Sequence, residues 1–234
     1  MRYTMKNKAV YYVNILLIIG IFIGNYIYQS NGFDFTWKMI CSGTFAVLGI
    51  INFIYALSNK CPNLKTAAFL AMGSVFAFLG DAMINRDFII GAALFALGHV
   101  LFVVAYFLYE KLRKLDLIIS GALIAATVCF ILFCPLLEFD VPVFKYVCLV
   151  YAMIISFMVG KAVGNAVHRK NKFVYVVAAG SGLFFFSDLM LLFDWFMNCS
   201  GWSARACMGT YYPGVCALVF AIYVLVNGEA DAKA

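Results

Sequence analysis

Residues 88–108 read FIIGAALFALGHVLFVVAYFL, 21 positions without one Asp, Glu, Lys or Arg. A helix needs roughly 20 apolar residues to cross the hydrocarbon core of a bilayer, so this run alone predicts a transmembrane span. Working outward, similar runs lie at about 10–28, 38–57, 66–85, 116–134, 143–166, 173–196 and 206–226. The expected fold is therefore all-α, a polytopic bundle of about eight transmembrane helices forming one integral membrane domain over 1–234. Composition agrees: 65% of residues are hydrophobic and only 12% charged, with a mean hydropathy of +0.96. A water-soluble domain keeps roughly a quarter of its residues charged. Eight spans use about 160 residues, which leaves no room for a soluble domain.

The basic residues set an orientation. Arg2, Lys6, Lys8, Lys60, Lys65, Lys111, Arg113, Lys114, Arg169, Lys170, Lys172 and Lys233 fall on one side of the predicted membrane. Only Lys38, Arg86, Lys145 and Arg205 fall on the other, and Lys161 sits near the inner end of a helix. Twelve against four places both termini in the cytoplasm by the positive-inside rule. The same scatter explains the net charge of +6 without nucleic acid as a partner, since no basic stripe forms. The first run is too long for a signal peptide and lacks a small-residue cleavage site, so it reads as an uncleaved span.

Further features refine the organisation. Phe78-Leu79-Gly80-Asp81-Ala82-Met83 echoes Phe185-Phe186-Ser187-Asp188-Leu189-Met190 four helices later, as two parallel four-helix halves would produce. The Asn85–Asp87 link forces the third and fourth helices to be antiparallel neighbours. Glycines such as Gly91, Gly98, Gly160 and Gly164 read as close-packing contacts. No CxxC pair occurs among the eight cysteines. Cys199 and Cys207 flank one polar loop, where a disulfide and two free thiols are the alternatives.

Ionisable groups deep in a helix are costly and therefore candidate functional groups. Asp81, His99 and Asp188 stand out, at depths of roughly 6, 16 and 12 Å below the outer boundary. Lys38 and Arg86 read as snorkelling residues near outer helix ends, and Asp87 and Asp194 as solvated. Gly91, Phe95, His99, Phe102 and Tyr106 form one stripe. Ser74, Asp81 and Asn85 share another face. Tyr211 and Tyr212 are expected to open the last helix beside Lys38, so that all these groups converge on one outward-facing pocket. Read conservatively, the two carboxylates are helix glue paired with Lys38 or Arg86. Read chemically, two carboxyls in unequal surroundings supply the acid and base of a hydrolysis.

The order Gly80-Asp81, Gly91-x-x-x-Phe95-x-x-x-His99 and Ser187-Asp188 resembles the YhhN family of eight-helix membrane proteins, over about Trp37 to Leu225. That family includes lysoplasmalogenases, which hydrolyse the vinyl ether bond of lysoplasmalogen to a fatty aldehyde and a glycerophospho-amine. The resemblance implies a single-chain phospholipid substrate drawn from the membrane, with Asp81, Asp188 and His99 as catalytic residues. It implies Lys38, Asn85, Phe95, Phe102, Tyr211 and Tyr212 as the substrate-binding set, with Lys38 holding the phosphate. No cofactor is expected and the scheme requires no metal, a zinc site of His99 and the two aspartates being the less favoured alternative. This chain departs from the family with Met39 after Lys38, Phe102 where a tyrosine is common, and Val215 where a glutamine is. A bacterial inner membrane, or the endoplasmic reticulum in a eukaryote, is the expected location. A proton-coupled carrier and a non-catalytic lipid-binding protein are the alternatives; a polar path across the bilayer marks the carrier, and a blind pocket the hydrolase.

Overall fold

The computed structural model describes residues 2–197, 199 and 201–231, with side chains described between 8 and 228. Arg2, Lys6 and Lys233 of the charge count lie outside the described side chains. Eight helices follow one another: α1 (Arg2–Ser30), α2 (Phe35–Ser58), α3 (Leu64–Met83), α4 (Phe88–Tyr109), α5 (Lys114–Phe133), α6 (Pro142–Arg169), α7 (Lys172–Phe196) and α8 (Trp202–Asp231). Each contains a stretch long and apolar enough to cross a membrane, which makes the chain an integral membrane protein. Its outward faces carry Leu16, Tyr26, Ile118 and Phe133, all more than 60% exposed, as a surface solvated by lipid requires.

Local chemistry sets the helix starts. Asp34, Asp87 and Asn171 each accept a hydrogen bond from the backbone N–H three residues on, capping α2, α4 and α7. The last helix starts at Trp202, so Tyr211 and Tyr212 lie more than two turns inside it. The apolar window missed this because Ser203, Arg205 and Thr210 dilute the first turns. Likewise Asn85 stands in the α3–α4 turn and is exposed; it does not share the helical face of Asp81.

The α3–α4 hairpin explains the stripe on α4. The Phe95 ring lies over Gly80 and the Phe102 ring over Gly73, where an added Cβ would come within 2.7 and 2.5 Å of the ring. The two glycines, two turns apart, let the helices approach and turn His99 away from α3.

Helix packing in the first half recurs in the second. α1 packs on α2, α2 on α3 and α3 on α4, as α5 does on α6, α6 on α7 and α7 on α8. The halves meet by matching contacts too, α2 with α8 and α4 with α6. Even the polar tethers correspond: Asn52 on α2 donates to the Val219 carbonyl on α8, and Asn165 on α6 to the Tyr106 carbonyl on α4. The correspondence then fails. α8 also makes close backbone contact with α1 and α3, whereas its counterpart α4 approaches neither α5 nor α7 so closely and meets α7 through side chains such as Tyr106 and Ser181.

At the charge-rich end, Lys161 is fully buried, not at a helix margin as the sequence reads. Its ammonium donates to Asp116, Asn165 and the Lys111 carbonyl at 2.8–2.9 Å. Gly160 and Gly164 let α6 close on Ser120 and Asp116, which clamps α5 to α6 there.

Candidate functional site

The opposite, charge-poor end holds two carboxylates in separate networks. Asp81, near the end of α3, is 2% exposed. Its Oδ1 lies 3.4 Å from the Lys38 ammonium, and its Oδ2 accepts hydrogen bonds from Ser42 and Tyr211, each at 2.6 Å. Three donors on one buried carboxyl group are the arrangement of an anion. Lys38 is thus not a snorkelling side chain; it is 4% exposed and faces inward because Asp81 compensates its charge. Arg86 is exposed and lies over the Phe35 ring, 5.6 Å from its centroid.

Asp188, on α7, belongs to the second network. Its Oδ2 accepts from the Tyr151 hydroxyl at 2.6 Å and lies 3.3 Å from His99 Nε2. His99 Nε2 is also 2.7 Å from the Tyr151 oxygen. Tyr151 has one hydroxyl hydrogen and gives it to Asp188, so Nε2 must be the donor toward Tyr151. His99 Nδ1 is buried with no hydrogen-bond partner. The Asp188 side chain is 13% exposed, against 3% for Asp81.

Two cavities meet at Asp188. The first, about 280 Å³, is bordered by Lys38, Asp81, Asn85, Asp188, Asp194 and Tyr211. The second, about 350 Å³, is almost wholly apolar and runs among α4, α5, α6 and α7. They share Ile84, Phe95, Asp188, Leu191 and Trp195, and so adjoin along these side chains. Both occupy the charge-poor half of the bundle. Below them Phe45, Phe102, Phe184 and Val215, each fully buried, fill the cross-section.

Of the residues read from the sequence, Lys38, Asp81, Asn85, Phe95, Asp188 and Tyr211 border the polar cavity. His99 stands one hydrogen bond behind Asp188. Two do not line a cavity: Phe102 is packed on Gly73, and Tyr212 is buried with its hydroxyl 3.4 Å from Ser42 Oγ and from the Lys38 carbonyl oxygen. Both support the site from behind, since the close α3–α4 and α2–α8 packing leaves them no opening. Asp194 is half-buried at the cavity, accepting from Ser203, and is not simply solvated. Cys199 and Cys207 are free thiols, and the buried Cys207 lies 3.6 Å from Ser187 Oγ. Sequence reasoning missed Tyr151 and Ser42. The only signal for Tyr151 was its place with Cys148 and Ile155 on one face of α6. Among the described residues no group of three His, Cys, Asp or Glu side chains is placed to hold a metal ion.

In comparisons with known proteins, residues 33–222 match the YhhN family, and no curated protein and no solved structure matches.

Proposed function

The chain belongs to the YhhN family, and from that premise we propose that it hydrolyses the vinyl ether bond of a single-chain ether phospholipid, a lysoplasmalogenase-type reaction. The observation that carries this reading is the unequal setting of the two carboxylates. Asp81 is saturated by Lys38, Ser42 and Tyr211, whereas Asp188 is held at one oxygen by Tyr151 and His99 and borders both cavities. Asp188 is the proton donor in this scheme and Asp81 the fixed anion.

The reaction then balances without a redox partner. Asp188 protonates the β-carbon of the vinyl ether, and the π electrons leave an oxocarbenium ion at the α-carbon and oxygen. Water adds to the α-carbon and returns a proton to the Asp188 carboxylate. The hemiacetal passes its hydroxyl proton to the departing glycerol oxygen, releasing the fatty aldehyde and a glycerophospho-amine. Negative charge fixed at Asp81 in a low-dielectric site favours the cation. Tyr151 and His99 hold Asp188 in one orientation. Lys38 offers the cation for a phosphate, and Asp194 an acceptor for a head-group amine.

The buried layer of Phe45, Phe102, Phe184 and Val215 favours a hydrolase over a carrier. From His99 to Tyr106, or from Asp188 to Ser181, the apolar separation is about 10 Å along the helix. The pocket is blind toward the charge-rich side.

The test is aldehyde release from lysoplasmenyl-ethanolamine by purified protein in detergent, with Asp81→Asn and Asp188→Asn alongside. The proposal expects release by the wild type and loss in both folded variants. No release at any pH, or full activity in Asp188→Asn, would overturn it.

A further inference from the structure

The failed correspondence between the halves leaves a specific gap. α4, α5 and α7 surround the apolar cavity without close backbone approach to one another, bridged only by side chains such as Phe88–Trp195 and Phe130–Phe193, and α6 forms the floor. Thr127 on the α5 wall turns its hydroxyl to the Leu123 and Ile124 carbonyls of its own helix and to Ser156. Polar groups are offered at one place, where Asp188 and Tyr151 border the groove.

Its dimensions and its roof restrict the occupant. Along α7 the lining runs from Phe185 to Phe196, about 16 Å at the helical rise. The hydrocarbon core is roughly 30 Å thick, so the groove is as deep as one leaflet. At the charge-poor end it is covered. The α5–α6 loop donates from Glu138 N–H to the Phe196 carbonyl at 2.8 Å, and the Phe139 ring packs on Phe196 with centroids 4.6 Å apart. Water therefore has no direct path in from above. The side is different: α5 and α7 meet across the slot through the Phe130 and Phe193 rings, 5.7 Å apart.

We infer that this groove binds the single hydrocarbon chain of a membrane lipid, loaded sideways from one leaflet between α5 and α7, with the polar head delivered past Asp188 to Lys38. One groove of one-leaflet depth holds one chain, so a two-chain phospholipid would have to leave its second chain in the bilayer and should bind more weakly. The placement of a scissile bond at Asp188 rests on the proposed hydrolase reading; occupancy of the groove does not.

The probe is a saturated alkyl-ether lysophosphatidylethanolamine, which has a single chain and no vinyl group to cleave. Its binding to the full-length protein in detergent is measured by native mass spectrometry. Ala126→Phe and Ala152→Phe place a ring in the groove, and Ala125→Phe places the same ring on the outward face of α5. Filling the groove should weaken binding by about tenfold or more, because the ring and the chain compete for one volume. Ala125→Phe should bind within about twofold of wild type, since its ring lies outside the groove. Ala126 already faces the open slot, so its variant stays informative where Ala152→Phe fails to fold. Unchanged binding in a folded Ala126→Phe, or equal binding of a diacyl phospholipid, overturns the inference. Binding that is lost on filling, from a protein that releases no aldehyde, keeps the groove and removes the hydrolase. Aldehyde release that filling leaves unchanged does the reverse.

Discussion

Replacing Lys38 with methionine leaves the Asp81 carboxylate buried with two hydroxyl donors and no cation. Both side chains are at most 5% exposed and 3.4 Å apart, so the cavity they border gives the stranded charge little hydration. Breaking such a pair from one side costs about 3–5 kcal/mol. For a chain of this size each kcal/mol lowers the melting temperature by about 2–4 °C, so the loss should be roughly 6–20 °C. Asp81→Asn should cost a similar amount by stranding the Lys38 ammonium. The double variant Lys38→Met/Asp81→Asn removes both charges and keeps an amide oxygen for Ser42 and Tyr211. It should lie within about 1–2 kcal/mol of wild type, giving a coupling of at least about 4 kcal/mol in the cycle. Thermal unfolding in detergent, followed by intrinsic fluorescence, gives all four corners. A stable but inactive double variant separates the catalytic role of the pair from its structural one. Additive losses, or a Lys38→Met protein that melts with wild type, would refute the claim that Lys38 is held by Asp81.

Tyr151→Phe removes one hydrogen bond to Asp188 without changing the shape of the cavity wall. A bond to a charged group is worth about 1.5–3 kcal/mol, so kcat should fall roughly 10- to 150-fold in the aldehyde-release assay with the fold intact. Gly160→Ala drives a Cβ to within 2.6 Å of the Ser120 backbone, and overpacking of this kind costs about 1–3 kcal/mol, read as a lower melting temperature. Glu110 ends α4 at the charge-rich surface. Burial disfavours its charge, but hydrogen bonds from Arg113 and Arg169 outweigh that and hold its carboxyl below the ordinary value of 4.5. The group's contribution to stability is thus present above pH 4.5 and lost as pH falls through the depressed value. Melting temperature measured against pH should show this acid limb in wild type and a flatter profile in Glu110→Gln.

The helix count and alternation were legible because lipid as solvent demands long uncharged runs, and 88–108 meets that demand without any structural knowledge. Asp81, Asp188 and His99 were legible for the same reason, since an ionisable group in such a run stands out against its neighbours. Tyr151 and Ser42 did not stand out: a tyrosine or serine in an apolar helix carries no burial penalty that marks it. For Lys38 the sequence left two readings, snorkelling near a helix end and pairing with a buried carboxylate, and its juxtaposition with Asp81 selects the second. Asp116 and Lys161 lie 45 residues apart, and nothing in either helix alone shows that they meet. What the sequence could not order is the arrangement of helices around the bundle. For that reason the two aspartates read as one acid–base pair, while in space each has its own network.

The clamp at the inner end of α5 has a mechanical meaning. α5 makes close backbone contact with α6 alone, fixed where Ser120 and Asp116 meet Gly160, Gly164 and Lys161 and again where Thr127 meets Ser156. Beyond Thr127 it is held by apolar contacts, among them Phe130 on Phe193 of α7. It is a cantilever with a pinned root. From Thr127 to Phe133 the free arm measures about 9 Å, so a tilt of about 10° carries its tip roughly 2 Å outward. That displacement is spent entirely at the slot facing α7. Asp81 and Asp188 ride on α3 and α7, so a tilt of α5 would not carry the two carboxylates with it.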